Sequence, residues 1–155
     1  MSDYTKRRSN RNGKQAEQRF KELAKKQGWT IEKSTYAQDR FEHWDFLVYD
    51  IKIDVKSRND LSDDTYCWVE LQAVDGRTGW LYGEADAFAF ETLECFIICP
   101  KAALQLLMRC HLEDETIHHK RPDGFYKIYQ RAGREDKVVR VPTQHILFIS
   151  NIYIK

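Results

Sequence analysis

Asp45, Asp54 and Lys56 are the residues of this chain whose types and spacing could do hydrolytic chemistry. They lie in the segment His43-Trp44-Asp45-Phe46-Leu47-Val48-Tyr49-Asp50-Ile51-Lys52-Ile53-Asp54-Val55-Lys56. A hairpin turning at Tyr49-Asp50 sets Val48 opposite Ile51 and, three residues back on each arm, Asp45 opposite Asp54. Counted from a hydrogen-bonded Val48/Ile51 pair, Asp45/Asp54 is a non-hydrogen-bonded pair, with Cβ atoms roughly 4.5 to 5.5 Å apart. Carboxylates that close repel unless a cation lies between them. A hard divalent cation such as Mg²⁺, with Mn²⁺ as a substitute, takes oxygen ligands and keeps several waters. Asp45, Asp54 and the Val55 carbonyl would suffice for the protein's share. Such an ion can acidify a water and polarise a phosphate. Lys56, two residues beyond Asp54 and on the same face, could orient the water or offset charge developing on phosphorus.

The same pleat gathers Trp44, Phe46, Val48, Ile51, Ile53 and Val55 on one apolar face and leaves His43, Asp45, Leu47, Lys52, Asp54 and Lys56 on the other. Tyr-Asp lacks the glycine that two-residue turns favour, so a longer loop would shift this register. Upstream, Ala16, Phe20, Leu23 and Ala24 recur at helical spacing, predicting a helix from about Lys14 to Gln27 that Gly28 closes. Glu17 borders that stripe and points partly inward. Residues 29–35 read as a strand, and Tyr66 to Gln72 as a stronger one whose alternation puts Tyr66, Trp68, Glu70 and Gln72 on one face. Strands are expected over 85–90 and 94–99, then a helix from Pro100 to about His111. Further strands are expected near 125–130, 137–141 and 145–153. No internal repeat breaks this succession, and a single α/β domain on a mixed sheet is the economical description.

Composition bounds the partners. At 155 residues the chain can bury a core without staples, and 25 Lys and Arg against 24 Asp and Glu give a formal charge of +1. Any nucleic-acid contact must therefore be local. Basic residues cluster in Lys6, Arg7, Arg8, Arg11 and Lys14, and residues 1–11 are expected to form a basic flexible segment ahead of a domain over 12–155. No apolar run approaches the roughly 20 residues that span a bilayer and no signal peptide is evident, so a cytoplasmic protein without membrane contact is expected. Cys67, Cys95, Cys99 and Cys110 lack C-x-x-C spacing and read as free, buried thiols. Cys110, His111, His118 and His119 fit no standard zinc spacing.

An acid two residues before a lysine is a weak signal alone, since an alternating surface strand supplies it without any chemistry. The combination strengthens it: apolar flanks, a facing aspartate and an inward-leaning Glu17. With these residues the segment resembles the PD-(D/E)XK nuclease superfamily, whose pattern is an Asp on one strand and Asp/Glu-x-Lys on the next. Trp44 stands where the pattern has proline. The resemblance covers residues 13–73 best. It implies a restriction-endonuclease-like core of order αβββαβ, a mixed central sheet flanked by helices, and a Mg²⁺-dependent deoxyribonuclease of small phage or prophage type. Asp45, Asp54 and Lys56 would be catalytic, and Glu17 would join Asp45, Asp54 and the Val55 carbonyl on the metal. Gln72 or Glu70 would be the later polar residue of the pattern. DNA contacts would come from Arg58, the best placed single phosphate contact, with Arg7, Arg8, Arg11, Lys14 and Gln72. Two-fold DNA symmetry would suit a homodimer. For Asp86, beside a glycine turn, service to the turn itself is the better reading. A different class remains open: a noncatalytic nucleic-acid-binding or assembly protein that keeps the fold.

Overall fold

The first helix ends in a pattern legible at Gly28. The Gly28 amide donates to the Lys25 carbonyl and the Trp29 amide to the Ala24 carbonyl, which requires the left-handed conformation that Gly28 adopts, at φ +78°. The computed structural model describes residues 3–59, 61–112, 114–150 and 152–155, with side chains from residue 12 onward. Helix α1 spans Asp3–Lys26, so it starts well before Lys14 and runs through Asn12-Gly13. A helical glycine costs only about 1 kcal/mol, which the Lys, Arg and Gln around it, good helix formers, can absorb.

In chain order there follow β1 (Ile31–Lys33), β2 (Phe46–Val48), β3 (Ile51–Lys56), β4 (Tyr66–Gln72), β5 (Ala87–Glu91), β6 (Phe96–Pro100) and α2 (Lys101–His111). Then come β7 (Ile117–His118), β8 (Ile128–Tyr129), β9 (Lys137–Pro142), α3 (Thr143–Ile149) and β10 (Ile152–Ile154). The fold is mixed α/β, with two mixed sheets in place of the one expected. The larger has the order β1-β2-β3-β5-β6-β10, the smaller β4-β9-β8-β7. Strand 29–35 is shorter than expected, and the expected strand 145–153 is mostly α3. Pro142 ends β9 and precedes the first turn of that helix, and the apolar residues Ile146, Leu147 and Ile149 do not alternate as a half-buried strand would.

The hairpin register is the expected one from Val48 opposite Ile51 to Phe46 opposite Ile53, but the ladder ends there and does not extend to the expected Asp45/Asp54 pair. Tyr49 takes φ +52° to make the two-residue turn. The ladder becomes irregular at Asp45, whose amide donates to the Ile53 carbonyl (2.8 Å). That irregularity reverses the parity of the residue before it. Trp44 consequently leaves the face of Phe46 and packs in the other core, contrary to the simple alternation.

Each face of the larger sheet has its own core. Ala16 and Phe20 of α1 cover Phe46, Val48, Ile53, Val55, Ala87, Ala89, Phe96 and Ile98. Phe20 is fully buried, its ring 5.8 Å from Phe46 and 5.4 Å from Phe96. Its truncation to alanine would cost about 3–5 kcal/mol. On the opposite face Phe88, Phe90, Ile97 and Cys99 join Cys67, Val69, Val139 and Val141 of the smaller sheet, with Leu104, Met108 and Ile146 of α2 and α3.

Strands β3 and β5 are parallel neighbours. The αβββαβ order would lead from the third strand into a helix. Here the chain instead crosses through β4 and a 3₁₀ turn over Trp80–Tyr82. Gly79 permits this crossover, because a Cβ there would stand 2.5 Å from the Glu70 carbonyl oxygen.

Candidate active site

β2 and β3 deliver Asp45 and Asp54 to one buried place, at 5% and 4% exposure. The Asp45 backbone is held on both sides: its carbonyl accepts from Ser34 N–H and its amide donates to Ile53, both at 2.8 Å. Asp45 Oδ2 accepts from the Val55 amide at 2.7 Å, the place a backbone carbonyl would occupy in a continued ladder. Because a strand residue's N–H and C=O project from the same edge, the Val55 carbonyl is directed toward Asp45 as well.

Asp54 lies beside Asp45 within side-chain hydrogen-bonding reach. Its Oδ2 is 2.9 Å from Lys56 Nζ, yet the angles give that oxygen no hydrogen bond and it is fully buried. Burial pushes the Asp54 carboxyl well above the usual range; Lys56 opposes this and Asp45 adds to it. Lys56 itself is held above the ordinary lysine value. Desolvation works against its charge, but the carboxylates of Asp54 and Asp45 outweigh that effect. Its ammonium rests 4.8 Å over the Trp80 ring.

Glu17 reaches the same region from α1, with an ammonium in between. Lys33 Nζ is 2.7 Å from Glu17 Oε2 and 3.6 Å from Asp45 Oδ1. Burial and then Asp45 raise the Glu17 carboxyl, while Lys33 works the other way. Among the described residues no set of three or more His, Cys, Asp or Glu side chains forms a ready metal site. Family models, curated proteins and solved structures all fail to match the chain.

The remaining expected site residues separate. Arg58 is buried and folded back onto the protein, donating to the Tyr66 carbonyl (3.2 Å) and the Asp63 carbonyl (2.5 Å). Its guanidinium also lies 4.1 Å from the Tyr66 ring centre. It is therefore not the open phosphate contact that its position after Lys56 suggested. Gln72 is engaged with the Glu135 carbonyl at 2.6 Å. Glu70 lines a cavity with Ser57, Trp68 and Trp80, and burial raises its carboxyl against the pull of Lys56. Asp86 accepts from the Lys52 amide at 2.8 Å, a structural role. Lys14 is exposed on α1, whereas the side chains of Arg7, Arg8 and Arg11 lie outside the described residues. Of the thiols, Cys67 and Cys99 are buried as expected, but Cys95 is half-buried and Cys110 exposed.

Three participants were not singled out from sequence. Lys33, an exposed-looking strand residue, carried no signal before β1 was set beside β2. Glu91 accepts a paired contact from Arg19 (2.5 and 3.0 Å) and a hydrogen bond from Ser57 Oγ (2.5 Å), tying α1 to the end of β3. His43 adopts φ +57°, and burial followed by the charges of Lys56 and Arg77 lowers its basicity. Among the described residues no helix is long and apolar enough to cross a membrane.

Proposed function

We propose that this chain is a divalent-metal-dependent nuclease that hydrolyses phosphodiester bonds in DNA, an endonuclease of the PD-(D/E)XK kind. The observation that carries this is the buried pair Asp45 and Asp54 with Lys56 Nζ 2.9 Å from Asp54. The spatial order β1-β2-β3 under α1 supports a restriction-endonuclease-like first half.

The residues fit a hard cation. Asp54 Oδ2 is a buried carboxylate oxygen without a hydrogen-bond partner, next to a second carboxylate and an edge carbonyl. All of these are the oxygen donors that Mg²⁺ or Mn²⁺ takes. Asp45, Asp54 and the Val55 carbonyl would hold it, with Glu17 free to join once Lys33 turns aside. When bound, the ion supplies positive charge that polarises the phosphate and acidifies a water. Lys56, kept charged by the two carboxylates, can donate to a non-bridging phosphate oxygen as charge grows there. The Trp80 ring lies against that ammonium, 4.8 Å away, and limits the water around it. Two copies related by a two-fold axis would place one such centre on each DNA strand.

The test is incubation of branched, duplex and single-stranded DNA with the protein in Mg²⁺ or Mn²⁺, beside Asp54→Asn and Lys56→Ala. Cleavage by the wild type and its loss in both variants is expected. No cleavage by the wild type, or undiminished cleavage by the variants, overturns the reading.

A further inference from the structure

The outer face of the smaller sheet is unlike the rest of the surface. On β4 the alternation buries Cys67 and Val69 and turns Tyr66, Trp68 and Glu70 outward. The register then sets Glu70 beside Val138, Val138 beside Tyr129 and Tyr129 beside His118, and sets Trp68 beside Arg140. Three aromatic rings thereby become contiguous: Tyr66 to Trp68 at 5.6 Å and Trp68 to Tyr129 at 6.3 Å. All three are only half-buried.

Guanidinium groups surround these rings. Arg58, Arg121 and Arg140 lie 4.1, 5.4 and 5.5 Å from the Tyr66 centre, and Arg121 is 5.7 Å from that of Trp68. Their roles differ. Arg58 and Arg140 donate to backbone carbonyls and hold the rings in place. Arg121 is exposed, and its hydrogen bond goes to the Tyr66 hydroxyl (2.9 Å), a partner that water can replace. Exposed His119 and Lys120 precede it in the chain.

This face connects with Lys56. A cavity of about 400 Å³ is lined by Ser57, Trp68, Glu70, Trp80, Tyr129 and Arg131. Ser57, Trp68 and Trp80 also line a smaller one, about 110 Å³, that holds Lys56. The two cavities therefore share three wall residues, with the aromatic rings on one side of them and the candidate lysine on the other.

We infer that the Tyr66-Trp68-Tyr129 face binds a single-stranded segment of nucleic acid, bases stacked on the rings and phosphates on Arg121, leading into the cleft at Lys56. Every base has a π-face, so such a row of rings with basic groups along it suits an unpaired strand of any sequence. In a duplex the base faces are occupied by their neighbours, and these rings would have nothing to stack on. Glu70, in the wall of the cavity, supplies an acceptor for base N–H groups. The inference rests on the nuclease reading for the identity of the ligand, and it narrows the substrate to DNA with an unpaired segment.

The experiment uses the full chain in EDTA, where cleavage plays no part. A fluorescein-labelled mixed-sequence single strand and its duplex are titrated by anisotropy. The single strand should bind more tightly than the duplex. Trp68→Ala and Tyr129→Ala should each weaken the single strand roughly 5- to 100-fold while changing duplex binding little. Tyr129→Phe, which keeps the ring, should bind as the wild type does and so separates stacking from damage to the fold. Arg121→Ala should lower the salt slope for the single strand by about 0.7. Single-strand affinity unchanged in both alanine variants, an equal loss for the duplex, or no binding of the strand by the wild type overturns the inference. The two readings fail separately. Strand binding through the rings without cleavage in Mg²⁺ removes the nuclease and leaves the surface, while cleavage with ring-independent binding does the reverse.

Discussion

Two buried aspartates, Asp54 and Asp136, sit in opposite circumstances. Asp136 is fully buried, and its Oδ2 accepts from Arg131 Nε at 2.5 Å and from the Nη2 of the same guanidinium. Its Oδ1 takes the Arg131 amide at 3.4 Å. One arginine thus satisfies the charge from side chain and backbone together. Asp54, almost as buried, is paired with the Lys56 ammonium at 2.9 Å but also has a second carboxylate, Asp45, for a neighbour, and its Oδ2 makes no hydrogen bond. Asp136 closes a loop on itself. Asp54 carries the repulsion of Asp45 beside its Lys56 partner, a strain that the cation of the proposed function would relieve and that Asp136 lacks.

Substitution separates the two most sharply in activity. Asp54→Asn should lower the cleavage rate roughly 10²- to 10⁴-fold per folded molecule, whereas Asp136→Asn should leave it within a few-fold. Comparable losses in both would dissolve the contrast. The order reverses for stability. Asp136→Ala strands Arg131 and should cost about 2 kcal/mol in urea unfolding, less than a fully buried pair because the Arg131 side chain is 42% exposed.

Asp54→Asn should by contrast melt at or above the wild-type temperature without metal, and the sign follows from its raised carboxyl. A carboxyl that holds its proton more tightly when folded adds stability at low pH. That stability is lost as pH rises from the unfolded value, near 4, through the higher folded one. The advantage of the asparagine variant should therefore grow across that window and vanish below it. A variant less stable than wild type at neutral pH would show that Asp54 is satisfied after all. The gentlest test concerns the neutral groups of the inter-sheet core. Burial pushes Cys67 and Cys99 up to about 11, so their contribution should be complete below about 9 and fade as pH rises to about 11, readable in urea midpoints. Exposed Cys110 should react with a thiol reagent long before either.

What could be read from sequence was local. The hairpin register over Phe46 to Ile53 followed from alternation across a two-residue turn, and the α1 stripe from helical spacing; the former brings Asp45 near Asp54, although not as the regular ladder pair that alternation implies. The rest needed distant partners. Nothing near Lys56 announces that the chain will cross into a second sheet, and Trp80, which covers that lysine, arrives from that crossover. The reversal of Trp44 hangs on a backbone irregularity at Asp45 that residue types do not encode. Arg58 looked free because its acceptors, the carbonyls of Asp63 and Tyr66, come into place only as the following loop closes.

The Tyr49-Asp50 turn has a consequence for how this protein can vary in length. One residue added there would slide β2 along β3 and carry Asp45 out of reach of the Val55 amide and of Asp54 together. The polar loop between β3 and β4 bears no such constraint from the hairpin ladder. Insertions and deletions should therefore accumulate in that loop and be excluded from the turn. The length of this turn, with Tyr49 left-handed in a Tyr-Asp pair, matters more to the site than the identity of its residues.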